Sequence, residues 1–319
     1  MNHPFLSLAL VFVSAGLAAQ NPVPRFTYEN RSGTAGNTLT VEGKSFGPYK
    51  DIYSMTPSTS AMTGLFLVTK RDKTYIVAQG KETGPLGQNY EPDQSAISDD
   101  GKFSFVSAVA YYEDERETTD TQLWVNGKLY GPFFSLQLVD YAETGGFWMA
   151  TVGLGDDQYG LLLNGNFLGP FVSVEHTWIS PDGKNWGYAT TDANGITTVV
   201  TADKTYEDVM DFNFNMMYPR EPHWGFGIKL TEDEELIVVD GKTYAGYLGF
   251  SGLYTTYSGR HWGFEAQKHT DTGDSSFVII NGKEFAGEGL GTSYLGNKES
   301  FTWTLRDGNK ATVQILTLP

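Results

Sequence analysis

The chain reads as all-β, a seven-bladed β-propeller of four-stranded antiparallel blades. Three observations predict this fold. A unit of the form apolar-x-Gly-Lys-x-aromatic-Gly-Pro recurs seven times, as VEGKSFGPY, AQGKETGPL, VNGKLYGPF, LNGNFLGPF, TADKTYEDV, VDGKTYAGY and INGKEFAGE. Its third residue falls at Gly43, Gly80, Gly127, Gly165, Asp203, Gly241 and Gly282, at spacings of 37, 47, 38, 38, 38 and 41 residues. Between copies lies a pair of large apolar residues two apart: Leu65/Leu67, Phe103/Phe105, Trp148/Ala150, Trp186/Tyr188, Trp224/Phe226, Trp262/Phe264 and Phe301/Trp303. A spacing of two places both on one face of a strand, and a fixed period near 40 residues marks a repeat architecture. Asn-Gly or Asp-Gly at 126–127, 164–165, 240–241 and 281–282 supplies tight hairpins, because type I′ turns need φ > 0 at both central residues.

The elements follow in order. Residues 1–19 read as a signal peptide: an apolar run from Phe5 to Val13, then Ser14-Ala15-Gly16-Leu17-Ala18-Ala19, with cleavage near Ala19 and a mature chain that is secreted or periplasmic. The n-region departs from the usual pattern, carrying only His3 and the amino terminus. Residues 20–37 are expected to be a linker. The propeller occupies 38–319, beginning with an orphan C and D pair over Thr38 to Tyr49. A full blade is typified by an A strand at Val174 to Ser180, the turn Ser180 to Lys184, a B strand at Asn185 to Thr190, a C strand at Thr197 to Thr201, and a D strand after Gly-Lys. The last repeat has A, B and C strands through Leu295, Ser300 to Arg306 and Ala311 to Leu316 but no D strand, so an N-terminal strand is expected to complete it and close the ring.

Ser180-Pro181-Asp182-Gly183-Lys184 with Trp186 and Tyr188, and Ser98-Asp99-Asp100-Gly101-Lys102 with Phe103 and Phe105, resemble the blade signature of the TolB-type (WD-like) propeller repeat family. The turn degrades to Tyr218-Pro219-Arg220-Glu221 and Ser258-Gly259-Arg260 elsewhere. The resemblance covers the whole mature chain and implies architecture. It implies partner binding or scaffolding, and carries no catalytic residues across.

Composition narrows the function classes. Aromatic residues make up 14% and charged residues 19%, material for a large packed core. The net charge of −16 opposes nucleic acid and anionic membrane surfaces. Without cysteine, thiolate metal sites and cysteine nucleophiles are excluded. No later segment has the apolar length of a membrane span. Phosphate loops, zinc-ligand motifs and nucleophile elbows are absent, so no catalytic or metal residue and no cofactor is assigned. His223 and His261 share one repeat position before Trp-Gly, a repeat spacing and not a ligand spacing.

Acidic residues collect in the B-to-C loops: Glu113, Asp114, Glu115, Glu117 and Asp120, then Asp156 and Asp157, then Glu232 to Glu235. They serve as a solvated surface or as calcium ligands, although none shows the ordered calcium-loop pattern. The stretch Tyr111 to Asp120 is an insertion of the kind that carries added function or neutral length drift. The residue after Gly-Pro opens each D-to-A connection: Tyr49, Leu86, Phe133, Phe171, Val209, Tyr247 and Glu288. Either these pack between blades, or Tyr49, Phe133, Phe171 and Tyr247, with Asp208, form a ligand-binding mouth. The expected function is an exported, non-enzymatic binding or scaffold module for a protein, peptide or glycan. The alternatives are a glycan hydrolase or lyase using funnel carboxylates Asp93, Asp140, Glu175, Asp208 or Asp211, and a structural role through an apolar patch on an outer D strand.

Overall fold

The computed structural model describes residues 28–318 except 34–35, 42, 61, 88–89, 111–119, 214–222, 232–233, 272, 297 and 308–309. The signal segment, most of the Tyr111 to Asp120 insertion, the Tyr218 turn and Glu232 therefore lie outside the described residues. Within them the secondary structure is all strand and turn, with no helix to cross a membrane.

The strands form eight antiparallel sheets in chain order. The first holds β1 (Tyr28–Gly33), β2 (Gly36–Val41) and β3 (Lys44–Tyr49). The second holds β4 (Asp51–Pro57), β5 (Gly64–Lys70), β6 (Lys73–Ala78) and β7 (Lys81–Thr83). The third holds β8 (Tyr90–Ile97), β9 (Ser104–Ala110), β10 (Thr121–Val125) and β11 (Lys128–Phe133), and the fourth β12 (Ser135–Tyr141), β13 (Trp148–Gly155), β14 (Gln158–Leu163) and β15 (Asn166–Phe171). The fifth holds β16 (Ser173–Ile179), β17 (Trp186–Thr191), β18 (Thr197–Thr201) and β19 (Thr205–Tyr206), and the sixth β20 (Asp211–Asn213), β21 (Gly225–Thr231), β22 (Glu234–Val239) and β23 (Lys242–Tyr247). The seventh holds β24 (Gly249–Thr255), β25 (Trp262–Thr270), β26 (Gly273–Ile280) and β27 (Lys283–Ala286); the eighth holds β28 (Glu288–Leu295), β29 (Lys298–Asp307) and β30 (Lys310–Thr317).

Each four-stranded sheet is the expected A-B-C-D meander. The expected count of seven blades has the two chain ends share one sheet; among the described residues each end makes a three-stranded sheet of its own. The N-terminal C and D pair is not orphaned. Strand β1, inside the stretch read as linker, pairs with β2 from Tyr28↔Val41 to Gly33↔Gly36.

The chain divides into two compact units, with the boundary inside β14 and β15. In each, the core lies between successive sheets. In the first unit Leu39, Tyr49, Phe66 and Val68 cluster between sheets one and two, and Leu65, Leu67, Ile76 and Val106 between two and three. Phe103, Phe105, Trp148 and Leu162 fill the gap between three and four. The second unit repeats this with Tyr206 and Phe226, then Tyr247 and Phe264, then Phe301 and Trp303. B strands are therefore buried on both faces, and β5, β9 and β13 are buried over five or six successive residues where a half-exposed strand would alternate.

Turn chemistry sets the registers. At the C-to-D hairpins Asn126, Asn164, Asp240 and Asn281 take φ near +50°, and their Oδ1 atoms accept the N–H of the residue that opens or precedes the B strand at 2.8–3.1 Å. The A-to-B turns are equally regular. Ser180 Oγ donates to Asp182 Oδ1 (2.7 Å), which accepts Lys184 N (3.1 Å), while Asn185 N donates to Ser180 Oγ (3.0 Å). Ser98, Asp100, Lys102 and Phe103 reproduce this bond for bond at 2.8, 2.9 and 3.0 Å.

Candidate functional site

The D-to-A connections were expected to present the residue after Gly-Pro. The pleat turns that residue inward. Tyr49, Leu86, Val209 and Tyr247 are buried, Phe133 is half-buried against the Phe103–Trp148 cluster, and Phe171 and Glu288 are half-buried. The following residue faces out. Phe134, Val172 and Met210 are 49%, 51% and 56% exposed, Lys50 is exposed, and Leu248 is half-buried. In these five connections the backbone N–H of the following residue donates to a B-strand carbonyl: Lys50 to Thr69 (2.7 Å), Phe134 to Gly153 (3.0 Å), Val172 to Thr191 (2.8 Å), Met210 to Lys229 (2.9 Å) and Leu248 to Gln267 (2.8 Å). Sequence reasoning missed these residues by one position. The period of two along a strand was the signal that could have found them.

Tyr49 and Tyr247 instead tie sheets together. The Tyr49 hydroxyl donates to Glu82 Oε2 on β7 (2.5 Å), and Lys70 Nζ stands 3.6 Å from the other oxygen. Two hundred residues on, the Tyr247 hydroxyl donates to Glu284 Oε2 on β27 (2.7 Å), which also meets Lys268 Nζ at 2.5 Å. Lys268 lies 4.5 Å over the Tyr247 ring. Burial, then the adjacent carboxylate, raises both phenols far above their usual range. Burial alone would raise Glu284, but Lys268 and Tyr247 outweigh it and hold the carboxyl low.

The five expected funnel carboxylates occupy different strands. Asp93 on β8, Glu175 on β16, Asp208 in the turn before β20 and Asp211 on β20 are exposed, and Asp140 on β12 is half-buried. Asp208 holds φ +56°. Asp211 joins a second carboxylate: Asp211 pairs in register with Lys229, Lys229 with Glu235, and Glu235 with Tyr247. Burial, then Asp211, raises the Glu235 carboxyl above its usual range. His176 sits in the β16 bulge at φ +52°, edge-on to Phe212 at 5.3 Å. His223 Nδ1 bonds Asp240 Oδ2 (2.6 Å), and His261 Nδ1 faces Asn281 Nδ2 (3.0 Å), so both brace hairpins. Asp156 and Asp157, at φ +51° and +55°, are turn residues of the β13–β14 hairpin. Among the described residues no group of three His, Asp or Glu side chains is placed to hold a metal. On the outer strands, Leu129 of β11 and Phe167 of β15 share one repeat position and are exposed.

No protein-family model matches the chain, and no curated protein matches it. Similar solved structures are propeller-containing proteins and enzymes. TolB from Acinetobacter baumannii is 14% identical, over 69% of this chain and 62% of that one, at a TM-score of 0.27. The β-propeller domain of the Trilobed protease from Pyrococcus furiosus is 8% identical, over 72% and 83%, at 0.33. The dihydro-heme d1 dehydrogenase NirN is 13% identical, over 82% of this chain and 63% of its own length, at 0.29. The solved structures similar to this chain thus include TolB and WD-type propellers. The architecture described above rests on the sheets themselves.

Proposed function

We propose that this protein is an exported propeller that acts as a binding or scaffold module, engaging a protein, peptide or glycan at its D-to-A connections. The observation that carries this reading is the outward apolar residue repeated at one position, Phe134 in the first unit and Val172 and Met210 in the second, each about half exposed. Exposed apolar side chains at a repeated, backbone-anchored position are what a partner surface uses. The net charge of −16 favours neutral or cationic partners over nucleic acid. Phe133, Phe171 and Asp208 stand one or two residues before Phe134, Val172 and Met210 in the sequence, and Tyr49 and Tyr247 are buried at the repeat position of Phe133 and Phe171.

The test is a glycan-array and peptide-library screen of the mature chain, with and without calcium. A hit lost in the Phe134→Ser, Val172→Ser, Met210→Ser triple variant supports the reading, and a hit that survives it moves the site elsewhere. Residues 1–19 are the export signal in this proposal. Recovery outside the cytoplasm with an N-terminus at Gln20 supports it, and cytoplasmic retention of intact chain overturns it.

One observation favours the enzymatic alternative, the Asp211–Lys229–Glu235 row with its raised carboxyl. A hydrolase or lyase acting through it would lose activity in Glu235→Gln and show an acid limb set by that group.

A further inference from the structure

In sheets one to seven a D strand lies beyond the C strand, and these outer edges are blunted against further pairing. Lys44, Lys81, Lys128, Lys242 and Lys283 open β3, β7, β11, β23 and β27, and Pro48, Pro132 and Pro170 interrupt β3, β11 and β15. Lysine and proline on an edge keep a further strand from adding to it. In sheet eight the outer strand is β30, and among the described residues nothing pairs with its outer side. It runs for eight residues where the longest D strand has six, contains no proline, and carries no charge after Lys310.

The side chains of β30 depart from the repeat in the same way. Leu318 N donates to Glu299 O (2.9 Å) as Asn281 N donates to Trp262 O (2.9 Å), which aligns Ile315 with Val278. That position is held by Ile76, Leu123, Leu161, Val199 and Ile237 in other C strands, each 5% exposed or less, whereas Ile315 is 52% and Val313 66% exposed. The same bond sets the direction of the backbone. Residues 310 to 317 pair with β29 without a bulge, so Leu318 and the even-numbered residues bond to β29. The N–H and C=O groups of Ala311, Val313, Ile315 and Thr317 therefore point to the open side. Residues 288–319 hold Lys298, Arg306 and Lys310 against Glu288, Glu299 and Asp307, so their side chains balance in a chain whose net charge is −16.

We infer that β30 is the edge through which two copies of this chain associate, strand to antiparallel strand, about a two-fold axis at Gln314. A two-fold contact needs a patch that is complementary to itself, and β30 has one. With Gln314 opposite Gln314 of the second copy, Val313 stands opposite Ile315 and Ala311 opposite Thr317, so the outward backbone groups of one copy meet those of the other. The exposed Val313 and Ile315 become β-branched cross-strand pairs on one face. Lys310, the only charge on the strand, falls opposite Leu318 and meets no like charge. Balanced side-chain charge over this sheet removes the repulsion that −16 imposes on like copies elsewhere. The chain's own residues 20–27 suit this edge less well, because Pro22 and Pro24 have no N–H to donate to a ladder. The edge is separate from the D-to-A connections and does not depend on the function proposed for them.

The experiment is analytical ultracentrifugation of the chain from Gln20 over roughly 1–100 μM, the range in which a small interface dissociates. A reversible monomer–dimer equilibrium is expected. Val313→Pro removes an outward N–H and leaves the bonds to β29 in place, so it should weaken the dimer at least about ten-fold with an unchanged circular dichroism spectrum. Should Val313→Pro not fold, Val313→Lys, which puts a charge of the kind that blunts the other edges on each copy, should weaken it by a similar factor. The register is tested by cross-linking, since the chain has no cysteine of its own. Gln314→Cys faces itself across a non-hydrogen-bonded pair at about 4.5 Å between Cα atoms and should form a disulfide-linked dimer on mild oxidation. Thr312→Cys, which faces Leu316 of the second copy, should link at least about ten-fold more slowly. A monomer at every concentration, equal cross-linking of the two cysteine variants, or a dimer undiminished by Val313→Pro or Val313→Lys overturns the proposal. So does a dimer that appears only when residues 20–27 are removed, because those residues then occupy the edge.

Discussion

Single side chains hold this fold at its turns. Asp182 collects Ser180 Oγ, Lys184 N and Lys184 Nζ, and these hold its carboxyl down at about 2. A carboxylate lowered in the folded state stabilises above its unfolded value and loses that contribution as pH falls through the folded one. Asp182→Asn is therefore expected to lower the melting temperature at pH 7, with the difference from wild type vanishing between pH 4 and pH 2. A pH series of thermal melts checks this. Glu235 has the opposite sign. Its raised carboxyl favours the protonated fold, so stability falls as pH rises through the folded value, and Glu235→Gln should gain on wild type toward neutral pH in the same series. The hairpin glycines separate two costs. Gly43 and Gly165 hold φ +78° and +83°, but a Cβ on Gly43 meets nothing within 4 Å while one on Gly165 meets the Tyr130 hydroxyl. Gly43→Ala should cost about 1 kcal/mol in denaturant unfolding and Gly165→Ala measurably more.

Strands in this protein are held as much across sheets as within them. Tyr49–Glu82–Lys70 and Tyr247–Glu284–Lys268 use the same repeat positions to fasten the end of one sheet to the outer strand of the next. Tyr247→Phe keeps the buried ring and removes one hydrogen bond to a charged acceptor, an expected loss of about 1.5–3 kcal/mol. Tyr49→Phe should cost less, because Lys70 stands farther from Glu82 than Lys268 does from Glu284. Chemical denaturation of the two variants decides whether these contacts, and not a free aromatic mouth, are what the tyrosines serve.

At the scale of the whole molecule, the two end sheets carry three strands each among the described residues, and β30 leaves Val313 and Ile315 exposed on the last one. Removing residues 20–37 deletes β1, which pairs along its whole length with β2, and should lower the thermal midpoint by several degrees. An unchanged midpoint would mean that β1 adds nothing to the stability of the first sheet.

The sequence by itself determined the period, the four-strand meander and the hairpins, because these depend on local chemistry. Asn-Gly and Asp-Gly fix φ > 0 where they stand, and Ser180-Pro181-Asp182-Gly183-Lys184 closes its own turn through bonds spanning five residues or fewer. Strand β1 was not legible: Tyr28–Gly33 lacks an alternating apolar face, and its pairing with β2 identifies it. Only the tertiary structure decided that Tyr49 and Tyr247 turn inward while Phe134, Val172 and Met210 face out. A one-residue step in register exchanges the two faces of a strand, and the neighbouring sheet selects between them.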